Sequence, residues 1–215
     1  DTPVLAANVV PGPDSAIRDG YIQPFTIKRF GREKVGLIGI DIAQKTKVSS
    51  NPDDDTKFLD ELETAQKYID LLRWWYRVDK IVLVTHIQYQ NDIALANALR
   101  GVDVIVGGDS HSLLGGENLE TLGFNTVGDY PTVTADADGN PVCIVQAWEY
   151  AHLMGELKVT FDRRGRVKSC AGQPILPVER GNYVYEYNDD ETRELSGYDA
   201  WLVSKALRDY AEIEL

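Results

Sequence analysis

The segment "KIVLVTH … NDIALANAL … VDVIVGG", residues 80–108, restricts the possible folds more than any other. Two continuous apolar runs flank a helix-length stretch near residues 91–99. Uninterrupted Val, Ile and Leu suit strands covered on both faces, which is the condition of a parallel sheet. Strand, helix, strand at this spacing is a βαβ unit with parallel strands. "KVGLIGID", residues 34–41, has the same all-apolar character and reads as another buried strand.

Upstream, "TPVLAANVV" reads as a short strand, "PGPDSAIRDG" as a loop and "GYIQPFTIKRF" as an alternating strand turned back by "GRE". The polar stretch "AQKTKVSSNPDDD" follows, and Asp55 is a candidate cap for the next helix. Phe58, Leu62, Ala65, Ile69, Leu72 and Tyr76 recur at helical spacing, with Glu61 and Glu63 in the first turns. Trp74 and Trp75 extend that apolar side, which predicts a core or interface role. After residue 116, "YPTVTAD", "PVCIVQAW", "GELKVTFD" and "GRVKSCAG" are short strands parted by turn residues, the pattern of an antiparallel meander. "SGYDAWLVSKALRDYAEI" closes the chain as a helix capped by Ser196. The expected class is therefore α/β, with a parallel core, an antiparallel meander and a C-terminal helix.

Bulk properties limit the function. The 215-residue chain carries 22 Lys and Arg against 34 Asp and Glu, a formal net charge of −12. That balance argues against a nucleic-acid polymer or an anionic membrane surface as partner. No run approaches the roughly 18 apolar residues of a membrane span. Position 1 is not methionine and no signal peptide is visible, so the chain reads as a mature form, a proteolytic piece or a trimmed form. Cys143 and Cys170, the two cysteines, each sit in a strand-like run; a bridge between them and two separate thiols both remain open.

Of three histidines, His86 ends one parallel strand and His111 lies just beyond another, where open α/β sheets bind ligands. Asp109 stands two residues before His111; in an extended segment the two side chains would project to one side. A carboxylate and two imidazoles converging there would hold a divalent cation. Gly107 and Gly108 fit a tight turn, and His152, in "WEYAHLMGEL", reads as a surface residue between strands. There is no Gly-x-Ser-x-Gly elbow and no P-loop.

"TPVLAANV", "KVGLIGI", "VDKIVLVTHIQYQNDIALANALRGVDVIVGGDSHSLL", "YPTVTADADGNPVCIVQAWEYAHLMGELKVTFDRRGRV" and "GQPIL" resemble, in that order, the 5′-nucleotidase family of calcineurin-like metallophosphoesterases. The resemblance covers roughly residues 2–178. It implies a four-layer α/β sandwich and, for the complete protein, hydrolysis of nucleotides or other phosphate esters (5′-nucleotidase, phosphatase or NAD nucleotidase) at two divalent metal ions, Zn, Mn, Mg or Ca. It also implies a secreted or periplasmic location. By position, His86 and Asp109 would serve one metal and His111 the other. Asp109 departs from the family's usual histidine; a carboxylate is a harder ligand and favours magnesium, manganese or calcium over zinc.

Gly-Asn-His-Glu does not occur here, and Asp109-Ser110-His111, Gly108-Asp109 and Gly128-Asp129 fall after the strands and not in the N-terminal segment where the family carries its Asp-x-His and Gly-Asp motifs. The resemblance therefore makes residues 1–178 the second half of a catalytic domain and 179–215 a linker and helix toward a further domain. The catalytic residues are expected in the N-terminal half, which would be a partner if it were a separate chain. The alternative expectation is a non-catalytic half-domain that binds metal or a partner without turnover.

Overall fold

The computed structural model describes residues 2–18, 20–121 and 123–176. The expected helix capped by Ser196, and the linker over 179–215, lie outside them. In chain order the elements are β1 (Val4–Leu5), β2 (Val9–Val10), β3 (Ile22–Gln23), β4 (Phe25–Phe30), β5 (Glu33–Asp41), α1 (Ala43–Ser49), β6 (Lys57–Phe58), α2 (Glu61–Trp74), β7 (Lys80–His86) and α3 (Tyr89–Ala98). They continue with β8 (Val104–Val106), α4 (Glu117–Thr121), β9 (Thr132–Ala135), β10 (Pro141–Val145), β11 (Met154–Phe161) and β12 (Val167–Ile175).

The main sheet has the order β4-β5-β7-β8-β10-β9. β5, β7, β8 and β10 are parallel neighbours, and β4 and β9 close the edges antiparallel. The parallel strands are those whose sequences are continuously apolar, as burial on both faces requires. All four end at one edge of the sheet, at Asp41, His86, Val106 and Val145.

Side-chain alternation along the strands divides the packing between the two faces. On one face Ile81, Leu83, Ile105, Val142 and Ile144 meet Ile69 and Leu72 of α2 and Leu95 and Ala96 of α3. On the other, Val82, Val104 and Cys143 meet Leu157, Val159, Phe161 and Val167 of the β11–β12 hairpin. Each fully buried Leu or Ile contributes about 1.5–3 kcal/mol of hydrophobic stabilisation. The antiparallel strands thus form two hairpins rather than one continuous meander. β9–β10 completes the main sheet, whereas β11–β12 forms a separate two-stranded sheet across its face. A disulfide between Cys143 of β10 and Cys170 of β12, with Cα atoms 5.9 Å apart, fixes the hairpin there.

Several local expectations change. Asp60, not Asp55, caps α2: its Oδ1 accepts the Glu63 N–H at 2.8 Å. Residues 43–49 are helical despite their polar sequence. No side chain caps α1 from its own N-cap, and the Ala43 N–H instead reaches Glu61 Oε1 of α2 at 2.8 Å. Trp74 and Trp75 are 75% and 81% exposed, because α2 terminates there and its buried stripe ends at Leu72. They are surface residues and lie outside the core.

Candidate metal centre

The site lies at the carboxyl edge of the parallel strands. β7 ends in two side chains that alternation sends to opposite faces. Thr85 is buried toward α3, and its hydroxyl donates to Asp92 Oδ1 at 2.6 Å. His86 points to the hairpin face with most of its side chain exposed. β8 ends at Val106, and Gly107 and Gly108 carry the chain past α3 into Asp109.

These glycines are required by close approach and not by turn geometry, since neither has positive φ. A Cβ on Gly107 would come within 2.1 Å of Asp92 Oδ2, and one on Gly108 within 3.2 Å of His86 Nδ1. The next residues do not continue extended. Asp109 has φ 76° and His111 φ 49°, both left-handed.

That conformation overturns the reading that Asp109 and His111 project to one side. Asp109 turns toward β7, where its Oδ1 lies 3.5 Å from His86 Nε2 and pairs with the Lys45 ammonium of α1. His111 turns away: its Nδ1 meets Glu149 Oε2 at 2.7 Å, and its ring packs edge-on against Tyr150, centroids 5.6 Å apart. The structure therefore brings His86 and Asp109 together and leaves His111 beside them on a separate acid. Among the described residues no set of three His, Cys, Asp or Glu side chains lies close enough to hold a metal ion.

The electrostatics of Asp109 combine opposing influences. Partial burial pushes its carboxyl up. Hydrogen bonds from Lys45 and Gln88, with the Lys45 charge and the nearby His86, outweigh that and hold it below the ordinary carboxylate range. Asp109 Oδ2 is buried and has no hydrogen-bond partner among the protein groups. An ionised carboxylate with one free oxygen beside an exposed imidazole fits two of the ligands of a divalent cation. Lys45 occupies the other oxygen, so it neutralises the charge that a cation would neutralise.

Beneath the loop, Asp92 is fully buried and its pKa is pushed up to about 7 by burial, opposed only by the Thr85 hydrogen bond. Its Oδ2, facing Gly107, has no partner. Beyond β10, Trp148, Tyr150 and Ala151 are all left-handed. The His152 ring lies against Trp148 and Tyr150, centroids 5.1 and 6.1 Å away, so His152 belongs to an aromatic cluster rather than to open surface.

Lys45, Gln88, Asp92, Gln146 and Glu149 escape a reading from sequence. Lys45 lies in a stretch without periodicity, and Glu149 and Gln146 are far from Asp109 along the chain. Gln146 and Gln88 do follow the carboxyl ends of parallel strands, and the strand-end rule that selects His86 applied equally to them.

Comparison with known proteins gives a consistent result. The chain is 41% identical over 174 residues to a probable 5′-nucleotidase of Treponema pallidum, covering 81% of this chain and 29% of that protein. It is 36% identical over 163 residues to the NAD 5′-nucleotidase of Haemophilus influenzae, covering 76% of this chain and 27% of that one. Human 5′-nucleotidase is 35% identical over 175 residues, 81% of this chain and 30% of its own length. Among solved structures, a 5′-nucleotidase precursor from Thermus thermophilus superimposes with a TM-score of 0.72 at 38% identity, over 80% of this chain and 33% of that one. The Haemophilus influenzae NAD nucleotidase gives 0.76 at 28% identity, over 96% and 41%. The chain spans about 30% of the length of the curated relatives it matches. No protein-family profile matches it.

Proposed function

For a chain that belongs to the 5′-nucleotidase family over the four-fifths of its length that aligns, we propose a role as part of a metal-dependent hydrolase of nucleotides or related phosphate esters. The observation that carries this reading is the His86–Asp109 pair, 3.5 Å apart at the carboxyl edge of the parallel strands, with one buried carboxylate oxygen free. His86 and Asp109 would hold one divalent cation, and His111 a second, once released from Glu149. In two-metal sites of this kind the ions activate a water and clamp the phosphate for in-line displacement. Lys45, which pairs with Asp109 here, would be free to meet a substrate phosphate if a cation took its place on the carboxylate. Asp109 is the hard oxygen donor of the pair and favours magnesium, manganese or calcium over zinc.

The remaining ligands and the catalytic histidine would come from the N-terminal half of the catalytic domain, in the same polypeptide or as a separate chain. Two exposed residues support such a partner. Val84 and Val106, on the central strands β7 and β8, are 43% and 40% exposed on the face that His86 shares, although central parallel strands are ordinarily covered on both faces. The Cys143–Cys170 disulfide supports an oxidising compartment, periplasmic or extracellular. No helix among the described residues is long and apolar enough to cross a membrane.

The test is hydrolysis of AMP and of p-nitrophenyl phosphate by the full-length protein, before and after chelation. His86→Ala and Asp109→Ala should each lower metal-dependent turnover by about 100-fold or more. Turnover that survives chelation, or that both variants retain, would overturn the reading. The lack of a three-ligand set among the described residues favours a second reading, a metal-binding module without turnover. In that case the full-length protein would bind Mn²⁺ through His86 and Asp109 yet leave both esters intact.

A further inference from the structure

Gln146 directly follows β10, whose buried residues are apolar, and is 3% exposed. A buried carboxamide must satisfy both its oxygen and its nitrogen. All the contacts of Gln146 go to one loop. Its Oε1 accepts the Ser112 backbone N–H at 2.5 Å and the Ser110 hydroxyl at 3.2 Å, and its Nε2 donates to Gly108 O at 3.2 Å. Gly108, Ser110 and Ser112 alternate with Asp109 and His111, so one planar group grips the loop on both sides of each candidate ligand.

The grip matters because the loop is not self-supporting. Asp109 and His111 are left-handed without being glycine, and such residues persist only when their surroundings enforce the conformation. Other restraints come from the start of α3 and each hold one point of the loop. Ser110 Oγ accepts the Tyr89 N–H at 3.0 Å, and Gln88 N donates to the same Gly108 oxygen at 3.2 Å. Among the described residues only Gln146 spans the whole tripeptide and ties it to the end of a core strand, at the point where Trp148 N donates to Ser112 O and Leu113 bridges Ala147.

We infer that Gln146 is a positioning residue, whose carboxamide sets the backbone of the Asp109–His111 loop and thereby aims the Asp109 carboxylate at His86. The consequence for metal binding rests on the function proposed above; the control of loop geometry does not. In the metal-free full-length protein, Gln146→Leu should speed amide hydrogen exchange at Ser112 by about tenfold or more. The same variant should weaken Mn²⁺ binding, followed by the electron paramagnetic resonance of the free ion, by about 10–100-fold. Gln146→Glu keeps the shape and the acceptor oxygen but loses the N–H to Gly108, so it should retain slow exchange at Ser112 while weakening Mn²⁺ about tenfold.

If Gln146→Leu folds and leaves both Ser112 exchange and Mn²⁺ affinity at wild-type values, the inference is wrong. Should Gln146→Leu not fold, Gln146→Glu decides: unchanged Mn²⁺ affinity overturns it. If the wild type itself binds no Mn²⁺, the proposed function fails, and the inference then stands or falls on Ser112 exchange alone.

Discussion

The two edges of the parallel strands use the same residue type for opposite ends. At the amino edge, Asp136 spends both oxygens on Gly101 N, Asp138 N, Asn140 N and the Asn140 amide. Asp103 accepts from Ile81 N at 2.8 Å and Arg73 at 3.1 Å. At the carboxyl edge Asp92 and Asp109 each keep an oxygen that is buried and unpartnered. The backbone repeats the contrast. Left-handed positions around the amino edge are Gly31, Gly101, Gly139 and Gly165, with Arg77 the exception, whereas around the carboxyl edge Gly123 is joined by Gln88, Asp109, His111, Trp148, Tyr150 and Ala151. One edge is built for satisfaction, and the other tolerates strain and open valence, as binding sites do.

If this contrast is functional, removing an acid should cost stability at the amino edge and chemistry at the carboxyl edge. Asp103→Ala strands the Ile81 N–H and breaks the Arg73 ion pair, leaving the guanidinium on Gly101 O alone, and should lower unfolding free energy by about 2–3 kcal/mol in urea titrations. Asp109→Ala loses interactions with half-exposed Lys45, with exposed His86 and with Gln88, and should cost no more than about 1 kcal/mol. Equal stability costs would erase the distinction between the edges.

The edges should agree in one respect, pH. Burial first, moderated by Thr85 at Asp92 and by Ile81 and Arg73 at Asp103, raises both carboxyls from 3.8 to about 7. Between those values the folded protein binds more protons than the unfolded chain. The contribution is therefore fully present below about pH 4 and is lost as pH rises through 7. Each group sets a slope of up to about 1.4 kcal/mol per pH unit. Thermal unfolding from pH 4 to 8 should show stability falling with pH, and Asp92→Asn should remove about half of the slope. A slope unchanged in that variant would mean that Asp92 is ionised in the folded state.

The smallest effects come from the backbone. Gly139, φ +82° with open space around its Cβ position, should lose about 1 kcal/mol on mutation to Ala. Ala151, φ 58°, should be neutral or gain about 0.5 kcal/mol as Gly. Calorimetry of the two variants would sharpen the contrast; a destabilised Ala151→Gly would show that no strain is stored there.

What the sequence discloses follows the same division. The parallel core is legible because β5, β7, β8 and β10 must be apolar to be buried, and His86 because it ends such a run. α1 is hidden because it buries only Ala43 and takes its cap from Glu61, 18 residues away. Trp74 and Trp75 mislead because apolar character marks a face but not where a helix stops. The separation of Asp109 from His111 is hidden because neither residue type announces a left-handed backbone. The loop depends instead on Gln146, reached only after the chain has passed through α4 and β9.

The Cys143–Cys170 bond closes a ring whose two cysteines are 27 positions apart. Gln146, Trp148, Glu149, Tyr150 and His152 all lie inside it. Cross-linking a segment of this length removes chain entropy from the unfolded state worth about 3–4 kcal/mol. A protease cutting at exposed Tyr150 would therefore linearise the ring without releasing a fragment. The strand that carries Gln146 and the hairpin that covers the sheet would separate only after reduction.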